Sequence, residues 1–332
     1  MSNVEFYPLE GSLVPRMEKH LFLYRKFVRS WPDGYVMNAY FPKFHKQMQD
    51  FELRQDDIFI ITFPRSGTTW GQELIWNILH GVDLEAAKEK LMSRSPFWEY
   101  DGLLPPRGVL DVPKEIMQYF DKEDPTYLGR HSEFMAKVSS PRLIKTHLPL
   151  SLLPDQVKER KVIYIARNPK DVCVSYYHLF RTASGFIGSF DDFVDYFLED
   201  MSECLLRSGR LTTRSCFKYF FPGALNLQQV IYRISSFLDR QLTSEQVHRL
   251  MNHVSFENMK NNKAVAFESN FSVLTQKAMK LIGTIGSGIQ FLRTGKVGGW
   301  KCSLTKDQNM RFNRYIREHF SGTGLPYKPD DI

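Results

Sequence analysis

At 332 residues, with 42% hydrophobic and 24% charged side chains, the chain has the make-up of a globular protein able to bury a large core. Its formal charge of +7 comes from basic residues scattered along the chain. That balance suits an anionic small molecule and argues against nucleic-acid binding, which concentrates cations in runs or stripes. Four cysteines (Cys173, Cys204, Cys216 and Cys302) include no C-x-x-C pair, so zinc and thioredoxin-like chemistry have no support, and a reducing compartment is expected.

The opening MSNVEFYPLEGS carries acids early and lacks an apolar signal core. No stretch approaches the ~20 apolar residues that span a bilayer. The expectation is a cytoplasmic protein without a membrane partner. Residues 1–50 are aromatic-rich and broken by Pro8, Pro15, Pro32 and Pro42, which predicts an extended arm packed on a core. Ile58-Phe59-Ile60-Ile61 then reads as a buried strand, and the stretch through Glu73, Leu74, Trp76 and Leu79 as an amphipathic helix.

Between them lies TFPRSGTTW, residues 62–70. A strand that breaks at Pro64 and Gly67 and restarts at Thr68-Thr69 presents backbone N–H groups at a helix N-terminus. The dipole and the unclaimed donors both favour an anion there, so this is a P-loop-like phosphate-binding loop. The nucleoside-triphosphatase signature G-x-x-x-x-G-K-[ST] is absent, and the cation, Arg65, precedes the glycine. Residues 82–135, which include Pro105-Pro106, are expected to form loops and short helices. Short apolar runs at Leu143-Ile144 and Val162–Ile165 predict further strands, and a run near Cys216–Phe221 carries the pattern less cleanly. Helical periodicity covers Asp171–Phe180, Asp191–Leu198, Val230–Leu238 and Ser244–Asn252. Strands alternating with helices predict an α/β fold, a single domain over 1–332 with a mostly parallel central sheet flanked by helices.

Three more segments carry chemistry. In PRLIKTHLP (141–149), Lys145 and His147 lie two apart and share a face of an extended chain. They suit proton removal beside a stabilising cation, or else are a surface lysine and a packed histidine. In ARNPKDVCVSYYH, Arg167 ends a strand and Ser175 lies two turns along the next helix. Together they could hold a second phosphate, although an arginine–carboxylate pair and a helix-face serine would read the same way. FLRTGKVGGWK (291–301) is a flexible basic loop able to close around an anion, or a solvated turn.

In this order and spacing, TFPRSGTTW, KTHLP, ARNPKDVCVSYYH and RTGKVGGWK resemble the cytosolic sulfotransferases, from about Phe41 to the terminal GTGLPYK. That family transfers a sulfuryl group from 3′-phosphoadenosine 5′-phosphosulfate to alcohols, phenols or amines. The resemblance implies that Arg65, Ser66, Gly67, Thr68 and Thr69 cradle the 5′-phosphosulfate and that Trp70 stacks on the adenine. It puts Arg167, Ser175, Arg293, Thr294 and Gly295 at the 3′-phosphate, and Ser255, Phe256, Met259 and Phe291 on the adenine side. It makes His147 the base, Lys145 the cation for the sulfuryl oxygens, and Arg65 the aid to the leaving oxygen, with no metal. Phe97 matches a gate position, and Phe97, His147 and Leu179 are expected to meet a small, hydrophobic hydroxyl or amine acceptor.

The chain departs from the family pattern in three places. Arg65 stands where lysine is usual, and Thr294 removes a cation from the closing loop. The family's dimer motif K-x-x-x-T-V-x-x-x-E retains Lys301 and Thr305 but meets Lys306 and Met310, which weakens the expectation of a homodimer. Residues 201–226, MSECLLRSGRLTTRSCFKYFFPGALN, lack the family's Tyr-Glu-Asp strand end. That segment motivates a second reading, a catalytically weak nucleotide- or ligand-binding homologue on the same fold. A P-loop kinase is a third reading, disfavoured by the missing Walker lysine.

Overall fold

The computed structural model describes residues 4–21, 26–102, 131–183, 185–201, 215–220, 226–265, 295 and 297–320. Its N-terminal part is β1 (Glu5–Pro8), α1 (Val14–His20), β2 (Phe27–Trp31), β3 (Val36–Asn38) and α2 (Phe41–Gln49). The three strands form an antiparallel sheet in the order β1-β2-β3, with Tyr7 opposite Arg29 and Val28 opposite Met37. The expected extended arm is therefore a folded unit. Its prolines punctuate the elements, with Pro8 ending β1 and Pro15 and Pro42 in the first turns of α1 and α2, where no N–H is missed.

The central part follows as β4 (Ile58–Thr62), α3 (Thr68–Leu79), α4 (Leu91–Arg94), a short 3₁₀ turn (Trp98–Gly102) and α5 (His131–Lys137). Then come β5 (Leu143–Thr146), β6 (Lys161–Ala166), α6 (Pro169–Ala183), α7 (Phe190–Leu198) and β7 (Ser215–Phe220). The chain continues through α8 (Leu227–Phe237), α9 (Ser244–His253), α10 (Phe256–Asn261) and α11 (Lys306–Phe320). The second sheet has the order β5-β4-β6-β7 and every pairing in it is parallel.

All five residues of β4 are buried, as expected of a strand covered on both faces. Ile58 and Ile60 pack with Leu74 and Ile75 of α3 and Ile231 of α8, whereas Phe59 and Ile61 pack with Phe41 and Phe44 of α2 and with Trp98. The period of two in the strand thus separates two cores. At the N-terminal ends of β4 and β5, Arg142 forks onto Asp57 at 2.7 and 2.5 Å, both side chains buried. This two-pronged, charge-assisted pair fixes the register of the two strands that carry the site at their other ends.

β7 forms inside the atypical 201–226 segment, one residue earlier than the run at Cys216–Phe221. Its backbone lies beside β6, with Val162 opposite Cys216 and Ile165 opposite Tyr219. The stretches 202–214 and 221–225 lie outside the described residues.

Candidate active site

Because β4, β5 and β6 run parallel, their C-terminal ends meet at one edge of the sheet, where α/β proteins place ligands. Thr62 ends β4 and leads into the phosphate loop. Arg65 (φ 70°) and Gly67 (φ 99°) take left-handed backbone conformations that turn the chain into α3. Gly67 is the N-cap of α3 and offers no side chain to the first-turn N–H groups. Ser66 and Thr68 are buried, and Thr69 and Trp70 are half-buried. An oxyanion is the natural partner for such an opening.

Three residues expected at phosphates converge beside it. Arg65 Nε donates to Ser175 Oγ at 2.9 Å, and Arg167 Nη1 donates to the Arg65 carbonyl at 3.1 Å. The loop after β4, the loop after β6 and the second turn of α6 are tied through Arg65. Asp171, in the first turn of α6, faces Arg167 at 4.0 Å and accepts the N–H groups of Gly298 (2.8 Å) and Trp300 (3.3 Å). Lys170 lies 4.2 Å above the Trp300 ring. The end of the closing loop is therefore fastened to the helix that carries Ser175.

Just past the end of β5, His147 is half-buried. Its Nδ1–H donates to the Thr62 carbonyl at 2.8 Å, with Thr62 Oγ1 at 3.1 Å. A carbonyl can only accept, so the proton sits on Nδ1 and the lone pair on Nε2. Burial holds the imidazole well below its usual 6.5, helped by the charges of Lys145 and then Arg65 and opposed by the bond to Thr62. Phe97 joins the two candidate residues, with its ring 5.1 Å edge-on from His147 and Lys145 Nζ 3.7 Å above it. Under them lies the carboxyl of Glu99, which accepts the His147 main-chain N–H. Burial pushes Glu99 up to about 7, against hydrogen bonds from His147, Thr146 and its own N–H and the charge of Lys145.

On the other flank, Trp70 packs with Leu91, Met259 and Val265. Ser255 caps α10 and Phe256 opens it. Gly295 (φ +59°) passes so close to Phe256 that an added Cβ would lie 2.3 Å from its ring. Trp70 thus meets Met259, and Phe256 meets the closing loop. Phe291, Arg293 and Thr294 lie outside the described residues. Leu179 packs on the cluster of α1, α6, α7 and α11 that includes Phe63 of the phosphate loop.

Sequence reasoning missed Thr62, Glu99 and Asp171. Thr62 and Asp171 lie inside motifs already singled out, TFPRSGTTW and ARNPKDVCVSYYH, and Glu99 two residues past Phe97, but nothing in their spacing announces a partner so distant in sequence.

Comparison with known proteins decides the family. The family model described as "Sulfotransferase domain" matches residues 55–220 and 224–324. The chain belongs to the sulfotransferase family. It is an enzyme that transfers a sulfuryl group to small acceptors. The family match runs through all but residues 221–223 of the atypical segment. Sulfotransferase 1A1 of Canis lupus familiaris is 32% identical over 310 residues, covering 89% of this chain and 94% of that protein. Luciferin sulfotransferase of Photinus pyralis is 30% identical over 308 residues, 86% and 78% respectively. Among solved structures, retinol dehydratase in complex with retinol and PAP superposes with a TM-score of 0.82 at 27% identity, over 98% of this sulfotransferase and 99% of that chain. No helix among the described residues of the sulfotransferase is long and apolar enough to cross a membrane.

Proposed function

We propose that the donor is 3′-phosphoadenosine 5′-phosphosulfate, that His147 is the general base, and that the acceptor is a small hydrophobic alcohol, phenol or amine met in the cytoplasm. The donor supplies a sulfuryl group already bonded to a phosphate that can leave. The residues present fit it. The uncapped opening of α3 with Ser66, Thr68 and Thr69 suits the 5′ end, and Arg167 with Ser175 suits the 3′-phosphate. Trp70, Met259 and Phe256, with Ser255 at the cap, offer faces to the adenine, and Gly295 keeps the closing loop thin enough to lie on Phe256. A superposed relative crystallised with PAP adds support.

His147 carries the reading. With Nδ1–H committed to the Thr62 carbonyl, Nε2 is free to take the acceptor's proton as its oxygen attacks sulfur. Lys145 sets a positive charge that acts on the imidazole, suited to charge on the sulfuryl oxygens, and Arg65 stands at the phosphate loop to aid departure. The Phe97 ring beside His147 offers an apolar wall to a hydrophobic acceptor.

Calorimetry with 3′-phosphoadenosine 5′-phosphate against ADP, joined to sulfation assays on phenols and sterols, tests this. Expected are a clear preference for the 3′-phosphorylated nucleotide and a fall of about 10²–10⁴-fold in turnover for His147→Gln, with nucleotide affinity kept. Equal binding of ADP, or a His147→Gln enzyme with full turnover, would overturn it.

A further inference from the structure

The K-T-H segment has a partner that the chemistry above does not use. Glu99 is fully buried in the turn Trp98–Gly102, and the His147 N–H donates to its Oε1 at 2.5 Å. The Thr146 hydroxyl, Glu99's own N–H and the Lys145 charge also favour its ionised form. All three residues of the segment therefore address one acid. Its second oxygen, Oε2, is buried with no hydrogen-bond partner among the described residues. An unsatisfied oxygen on a buried acid is costly, and such groups concentrate where a site needs charge.

When His147 accepts the acceptor's proton, it becomes a cation between two others, Lys145 and Arg65, both of which already oppose its protonation. We propose that Glu99 is the positioning residue that makes this step affordable: as a carboxylate bonded to the His147 main chain, it holds the imidazole in place and balances the positive charge that forms there. The inference rests on His147 being the base. The proton moves from the acceptor hydroxyl to Nε2, and Glu99 neither gives nor receives it.

Glu99 titrates at about 7, so it is only partly ionised at neutral pH, and the transfer rate rises as it ionises. Among the described residues, the groups facing it are few. Lys145 and His147 act from the β5 end, and Asp101 follows on its own turn. Of the other elements packed on the turn, α2 contributes exposed Lys43 and Lys46 and His45, whose ring bonds the Leu152 carbonyl. From α5, among the side chains described, come only exposed Glu133 and Lys137.

The test is the pH profile of the single-turnover transfer rate, measured in the full-length enzyme with saturating donor and one phenolic acceptor. Wild type is expected to show an acid limb near pH 7, above the range of His147. Glu99→Gln keeps an oxygen for the His147 N–H but carries no charge. It should lose that limb and transfer about tenfold or more slowly, with nucleotide affinity unchanged. Glu99→Asp should retain a limb. Thr146→Val removes a hydroxyl that favours the carboxylate and should move the limb to higher pH. A Glu99→Gln profile that overlays wild type, or a Thr146→Val limb that does not move, would sink the role of Glu99. A His147→Gln enzyme with full turnover would instead sink the base assignment, and this inference with it. His147→Gln inactive beside an unchanged Glu99→Gln profile removes Glu99 alone.

Discussion

At single residues, the site is a set of charges held out of water, and their titrations pull stability in opposite directions. His147 is depressed below 6.5 in the folded chain, so the unfolded chain binds its proton first and stability falls as pH drops through that value. Glu99 is raised from 4.5 to about 7, so between those values the folded chain holds the extra proton and stability falls as pH rises. Glu99→Gln removes only the second effect. Urea unfolding at pH 5 and pH 8 should therefore show wild type losing more stability at the alkaline end than the variant, and identical pH dependence in the two would contradict the raised value. Arg65 illustrates a different trade. Its fork reaches Ser175 and its carbonyl holds Arg167, but a guanidinium neither gives up a proton nor fits as compactly as an ammonium. Arg65→Lys is expected to raise turnover several-fold in steady-state assays, and an unchanged rate would show that the substitution costs nothing.

Between elements, α3 is the piece on which the site depends, because its first turn is the phosphate opening. It lies so close to the sheet that a Cβ at Gly71 would fall 2.3 Å from Ile165 Cδ1 and 2.9 Å from Ile60 Cδ1. Two residues further along, Glu73 is fully buried and takes Arg94 of α4 at 2.7 Å and His253 of α9 at 2.6 Å, while Asn77 donates to it at 3.1 Å. Arg94 also lies 4.4 Å over the Trp76 ring. This buried charge group ties the phosphate helix to α9, which leads directly to Ser255 and Phe256. Arg94→Ala leaves the Glu73 carboxylate short of its main counter-charge, a loss of about 3–5 kcal/mol by the usual measure of broken buried pairs. Thermal and urea melts should both register it, and a variant within about 0.5 kcal/mol of wild type would mean that His253 and Asn77 suffice.

For the whole molecule, the open question is assembly. The segment matching the family's dimer motif is intact as local structure. Thr305 and Gln308 exchange hydrogen bonds at 3.2 and 2.9 Å to cap α11, and Lys306 begins that helix. Yet the motif's small apolar residue is the charged Lys306, and Met310, where the motif ends in glutamate, is 62% exposed. A short interface tolerates such a charge poorly. Size-exclusion chromatography with light scattering at micromolar concentration should give the monomer mass. A tight dimer that Met310→Glu alters would overturn this.

What could be read from the sequence is what lies within one local window. The loop from Thr62 to Trp70, the Lys145-Thr146-His147 segment and the helices around Asp171, Asp191, Val230 and Ser244 each carry their signal in neighbouring residues, through strand and helix periods, a proline break and a glycine. The parallel order of strands then forces their ends to one edge, so the site's location was legible as well. The tertiary structure alone decided the long-range pairings. β7 exists because β6 offers it a hydrogen-bonding edge, and the N-terminal strands exist because each supplies a partner to the next. Arg65 meets Ser175, and Glu99 meets His147, across more than forty residues of chain. Such contacts are set by burial and topology, which bring distant groups into one dry volume where an unpaired charge or donor is expensive.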